Sequence, residues 1–231
     1  MMRWSLPAYT QEVNVTAQVE VVGEAKSRAG RKDRADIVVW LSPLGDRTLR
    51  PVSEATSPPA PRLVQKDKKF TPHLLVVQAG TAVEFPNHDP FFHNVFSLFE
   101  GKRFDLGLYE AGTTRTVHFD RVGISYIFCN IHPEMSAVVV ALKTPYYGIS
   151  NAAGKVVIPN VPVGRYTMQV WAETAGIDHL KSLNRTVTVS EPDQSLGVIR
   201  IVEDGLPSPH KNKYGRDYDA PGSDYPANEQ K

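Results

Sequence analysis

The chain has 231 residues with 26 basic and 25 acidic side chains, so no charge excess points to nucleic acid as a partner. Hydrophobic residues make up 41%, enough for a packed core, and no apolar run approaches the roughly 18 residues that suggest a membrane span. The lone cysteine, Cys129, excludes an intramolecular disulfide and a structural zinc site built from several cysteines.

In chain order, the N-terminal stretch Met1-Met2-Arg3-Trp4-Ser5-Leu6-Pro7 lacks the apolar core of a signal peptide. Val13, Val15, Ala17, Val19 and Val21 then alternate with polar residues, the period of a half-buried strand. A polar loop spans residues 23–34. Its basic cluster, 26–34, reads as a solvated loop, with a docking patch for an acidic partner as the alternative. A second strand is predicted at 35–41. Residues 42–62 contain Pro43, Pro51, Pro58, Pro59 and Pro61, which forbid a central strand and predict an extended linker.

Strand patterns resume at 73–78, 82–85, 94–98, 113–119, 125–129 and 137–142. After residue 143 a different pattern begins, with strands predicted at 155–158, 165–171, 184–190 and 196–202 and turns around Gly154 and Val161-Pro162-Val163-Gly164. No stretch carries a sustained 3.6-residue apolar period, so the chain is predicted to be all-β. Residues 204–231 are rich in Pro, Gly, Asp and Lys and hold too few apolar side chains to offset ordering, which predicts a disordered tail. Tyr214, Tyr218 and Tyr225 recur loosely within it, and a short adhesive segment is the alternative.

The chemistry concentrates in Cys129-Asn130-Ile131-His132-Pro133-Glu134-Met135, where a thiol, an imidazole and a thioether share one short loop directly after an apolar strand. One cysteine sulfur, two imidazole nitrogens and a weak axial methionine form the ligand set of a mononuclear blue-copper site. The second imidazole must come from elsewhere. His93, in Asn87-His88-Asp89-Pro90-Phe91-Phe92-His93-Asn94-Val95, is the candidate, and His88 in the same loop is the alternative. His118 reads as a strand surface residue, and His73, His179 and His210 have no ligand-like context. Taken singly, each residue has a plainer reading: a buried small hydrophobe for Cys129, core filler for Met135.

Cys129-x-x-His132-x-x-Met135 resembles the short ligand loop of amicyanin, and His93-Asn94-Val95 resembles the upstream His-Asn motif of the same proteins. The chain thus resembles the cupredoxins of the plastocyanin and amicyanin kind over residues 69–143. Gly154-x-x-x-Ile158-x-x-Val161-x-x-Gly164-x-Tyr166 resembles the transthyretin-like modules of carboxypeptidase regulatory domains, although turn chemistry alone also explains its Gly and Pro positions. The resemblances imply a Greek-key cupredoxin β-sandwich at 63–143, inserted in or followed by a small β-sandwich. That second module would be split between 12–62, including the linker, and 144–203, ahead of the tail at 204–231. Insertion is favoured because 144–202 holds too few strands to close two sheets and the first two strands supply the deficit.

The cupredoxin resemblance implies one type 1 copper held by His93, Cys129, His132 and Met135. It implies that the Asn94 side chain ties its loop to the cysteine loop and that the Asn94 backbone N–H points at the sulfur. Asn130 stands where a hydroxyl residue often follows the cysteine. Phe91, Phe92, Phe96 and Phe128 are candidates to exclude water, and Pro133 to form an apolar rim beside His132. The expected function is a soluble electron carrier between extracytoplasmic redox partners, such as a c-type cytochrome or a dehydrogenase. A periplasmic location and a removed leader are expected with it. No enzyme activity is expected, because the chain has no His-x-His for a multicopper oxidase and no second thiolate for a dinuclear centre. Copper binding or delivery without a redox partner, and a structural or adhesive surface protein with incidental copper, are the alternatives.

Overall fold

A computed structural model describes residues 11–23, 34–45, 59–98, 100–190, 192, 194–203 and 210–218. The basic cluster up to residue 33, most of the Pro-rich stretch and, of the expected tail, residues 204–209 and 219–231 lie outside the described residues.

The strands are β1 (Glu12–Val22), β2 (Val38–Pro43), β3 (Val64–Lys66), β4 (Lys69–Thr71), β5 (Leu74–Gln78), β6 (Thr81–Pro86), β7 (His93–Ser97) and β8 (Phe104–Tyr109). They continue as β9 (Thr114–Phe119), β10 (Gly123–Cys129), β11 (Ser136–Leu142), β12 (Tyr147–Ile149), β13 (Lys155–Pro162), β14 (Gly164–Trp171), β15 (Arg185–Val189) and β16 (Gln194–Val202). One helix, α1 (Ile177–Ser182), interrupts them. It buries only Leu180, so it needs no 3.6-residue apolar stripe and left no such signal in the sequence. The described residues are otherwise strand and loop, and the protein is all-β.

These residues form two compact units, divided at 55/56, 143/144 and 208/209. In the first, β1 pairs antiparallel with β13 and parallel with β16, while β2 lies between β12 and β14, and β15 flanks β14. The valine stripe of β1 points inward, and Val15, Val19, Leu41, Ile158, Tyr166 and Met168 are buried. Gly154 adopts φ +80° and its carbonyl accepts the Val19 N–H at 2.7 Å. A Cβ there would stand 2.3 Å from the Val19 oxygen, so this turn admits only glycine. The Tyr166 hydroxyl donates to the Pro162 carbonyl at 2.6 Å and pins the turn that precedes its own strand.

In the second unit a five-stranded sheet, ordered β5-β11-β10-β7-β8, packs against the β6-β9 ribbon and the β3-β4 hairpin. Phe85, Val117 and Phe119 of the ribbon meet Val95, Ile127 and Val139 of the sheet in one apolar core. Strand alternation then fixes the site. Ile127 and Cys129 continue the same inward row of β10, and Cys129 pairs in register with Val95 of β7. His93 shares the face of Val95, two residues along the strand, which carries its imidazole to the end of the sandwich where β10 gives way to the loop.

The short β3-β4 hairpin left little trace in the sequence. Its turn residues Asp67 and Lys68 both have positive φ, 53° and 54°, without a glycine to make that easy. The carboxylate of Asp89 compensates by accepting both their N–H groups, at 2.6 and 3.1 Å. β8 was also unmarked: Asp105 and Gly107 are poor strand formers. Here Gly107, at φ +65°, donates to Asp105 and turns its carbonyl toward Asn94.

Candidate metal centre

Cys129 Sγ lies 3.6 Å from Nδ1 of His93 and 3.6 Å from Nδ1 of His132, and the three donor atoms fall within 4.8 Å of one another. Ligands bound at about 2.0–2.3 Å and at angles of about 110–120° stand roughly 3.6 Å apart, so this spacing fits donors of a single ion. Cys129 and His93 are fully buried and His132 is half-buried. Met135 is fully buried and belongs to the same apolar cluster as Cys129. The loop between them is closed by backbone bonds from Cys129 N to Met135 O, 3.3 Å, and from Met135 N to His132 O, 3.1 Å.

The upstream histidine is oriented by Asp89. His93 Nε2 stands 2.9 Å from Asp89 Oδ2, so a proton on Nε2 faces the carboxylate and the lone pair of Nδ1 faces the sulfur. Burial pushes Asp89 up, but the bonds from His93 and from the Lys68 and Asp67 amides outweigh it and leave its carboxyl below the usual range. Burial holds His93 below the ordinary imidazole value against the pull of Asp89. Burial also lowers His132, assisted by the nearby His93. Both rings are therefore neutral near pH 7, as ligand imidazoles must be. His88 is exposed.

Burial raises the Cys129 thiol, while backbone N–H bonds from Ile131, Asn94 and His132 oppose that rise. Amides aimed at the sulfur stabilise a thiolate once a cation is present to form it. The Asn94 side chain does not tie the two loops together. Its Nδ2 donates to Asp105 Oδ1 at 2.6 Å and to the Gly107 carbonyl at 3.1 Å. The tie is made by the backbone, with Asn130 N donating to Asn94 O at 2.8 Å. Of the aromatic residues, Phe91 stands 5.3 Å from both His93 and His132 by ring centroids, and Phe96 and Phe128 are buried. Phe92 is 51% exposed.

Three residues of the expected tail also reach this region. Tyr218 Oη donates to the Cys129 carbonyl at 2.7 Å, Lys213 N donates to Asn130 Oδ1 at 2.9 Å, and His210 stacks on Phe128 at 4.0 Å between centroids. The ordering is made by polar contacts and one stacked ring. Composition, which weighs apolar content, does not reveal it. The loose tyrosine repeat was the one signal there.

No protein-family model matches the sequence, and no curated protein does. Solved structures do match. A purple cupredoxin from Nitrosopumilus maritimus is 22% identical over 35% of this chain and 98% of its own, with a TM-score of 0.32. An oxidised mutant of amicyanin is 19% identical over 38% of this chain and 87% of its own, with a TM-score of 0.34. A copper-containing nitrite reductase from Thermus scotoductus is 20% identical over 52% of this chain but only 28% of its own, with a TM-score of 0.34. The nitrite reductase corrects one expectation. The sequence reading excluded enzymes, and that exclusion is withdrawn because an enzyme stands among the structures similar to this chain. No helix among the described residues is long and apolar enough to cross a membrane.

Proposed function

We propose that the second unit serves as an electron carrier, in which Cys129, His93, His132 and Met135 would together hold one type 1 copper. The reading is carried by the buried sulfur with an imidazole nitrogen 3.6 Å away on either side. Copper, when bound, supplies a one-electron couple between Cu(II) and Cu(I). A soft thiolate and thioether favour the reduced ion, and imidazoles suit both states.

The chain's own residues do the rest. Asp89 fixes the His93 ring, so the nitrogen facing the sulfur needs no reorientation when a metal arrives. Asn94, Ile131 and His132 amides hold the sulfur in place. Phe91 lies against both imidazoles and limits water. The half-buried His132 offers the accessible edge through which an electron leaves toward a redox protein of the periplasm or another extracytoplasmic space.

Delivery of copper to another protein asks for ligands that a receiving site can reach. Full burial of Cys129, His93 and Met135 favours retention of the ion instead. We read the first unit, whose strands come from both sides of the second in sequence, as a regulatory-like β-module into which the copper domain is inserted. The test is repeated chemical oxidation and reduction of copper-loaded protein in the presence of a strong copper chelator. An electron carrier cycles reversibly and keeps its metal. Loss of copper to the chelator within the first cycles would support delivery.

A further inference from the structure

We infer that residues 210–218 are a strap that completes the metal centre from outside, with Lys213 and Tyr218 as positioning residues for the two loops that carry His93 and Cys129. This rests on the copper reading for its consequence, but the contacts themselves stand without it.

The contacts close a ring. Lys213 N donates to Asn130 Oδ1 at 2.9 Å, and Asn130 N donates to Asn94 O at 2.8 Å. Asn94 Nδ2 donates to Asp105 Oδ1 at 2.6 Å, and Lys213 Nζ returns to Asp105 Oδ2 at 2.8 Å. Asn94 and Asn130 are the residues that follow His93 and Cys129, so a single lysine clamps the chain immediately beside both donors. Tyr218 adds a direct bond to the Cys129 carbonyl, and its hydroxyl also stands 3.2 Å from His210 Nδ1. His210 in turn stacks on Phe128, whose ring lies 6.0 Å from that of Phe96.

This arrangement differs from incidental packing of a chain end. The Lys213 side chain is only 19% exposed in its ion pair, so water competes for it less than at an open surface. The bond to Asp105 raises Lys213. Burial pushes Asp105 up, but Lys213, the Gly107 amide and Asn94 hold it below its ordinary value. Each member of the ring thus has its partner. What the ring restrains is the backbone of Asn94, whose N–H points at Cys129 Sγ. An amide on a thiolate sulfur draws electron density from it and favours the reduced metal, so whatever fixes that amide tunes the potential.

The experiment uses the full chain with Lys213→Ala, Tyr218→Phe, the double variant and the conservative Lys213→Arg. In metal-free protein, amide exchange at Asn94 and Asn130 is expected to quicken by roughly tenfold or more in the double variant, while Val139 in the centre of β11 is unchanged. Lys213→Arg should restore most of the protection. The variants remove the Lys213 Nζ and Tyr218 Oη bonds and keep the Lys213 N–H to Asn130, so rates equal to those of the native chain would overturn the positioning role of these two side chains. In copper-loaded protein the thiolate absorption should shift and the potential should fall in the double variant. An unchanged band and potential would overturn the tuning role. If the native protein shows no thiolate-to-copper band, the copper reading fails, and amide exchange still decides whether the strap holds the loops.

Discussion

His93 Nε2 and Asp89 Oδ2 lie 2.9 Å apart, and both side chains are almost wholly removed from water. The same carboxylate also accepts the Asp67 and Lys68 amides, so one buried acid fixes the β3-β4 turn and orients the His93 ring. Its negative charge survives burial because three donors surround it. The β3-β4 hairpin therefore bears on the candidate metal centre although none of its side chains belongs to the His93-Cys129-His132 cluster.

Removing that carboxylate should be felt at the metal. Asp89→Ala is expected to weaken copper binding by about 10- to 100-fold, the usual cost of losing a partner that orients a ligand. Asp89→Asn, which keeps an acceptor, should lose less. Competition titration against a chelator of known affinity measures both.

Met135 is expected to matter to potential more than to retention. Met135→Gln should keep copper bound and lower its potential, since an oxygen ligand favours Cu(II). Met135→Ala should in addition cost about 2–5 kcal/mol of stability by leaving a cavity in the core that holds Cys129. Voltammetry and denaturant unfolding of the metal-free chain separate the two effects.

The two upstream histidines should behave oppositely. His93→Ala is expected to abolish the copper spectrum, and His88→Ala, at an exposed position, to leave it unaltered. A bleached His88→Ala beside a blue His93→Ala would reassign the ligand.

Acid should release the strap late. Asp105 titrates below its ordinary value of 3.8 when folded, so its contribution is complete above that value and is lost as pH falls through the folded-state value. The side-chain carboxyl resonance of Asp105 should hold its ionised position from neutral pH down to the ordinary carboxylate range and move only below it. Movement already at about pH 5, well above the carboxylate reference, would contradict this order.

The 129–135 loop was legible because its chemistry is local: thiol, imidazole and thioether fall within seven residues, directly after an apolar strand. β1 was legible because one face of it is buried and the other is not, which writes a period of two into the sequence. The elements that escaped are held by distant polar partners. Asp67 and Lys68 turn because of Asp89, β8 carries Gly107 for the sake of Asn94, and residues 210–218 are ordered by Cys129, Asn130 and Asp105. Such contacts have no periodicity. Only the folded chain brings Lys213 to Asn130.

The central claim is most directly tested by the visible absorption spectrum of the copper-loaded protein, read beside that of Cys129→Ser. An intense thiolate-to-copper band is expected in the native chain and its complete loss in the variant, because Cys129 is the only cysteine in the sequence. Absence of the band in the native chain, or its persistence in Cys129→Ser, would contradict the account.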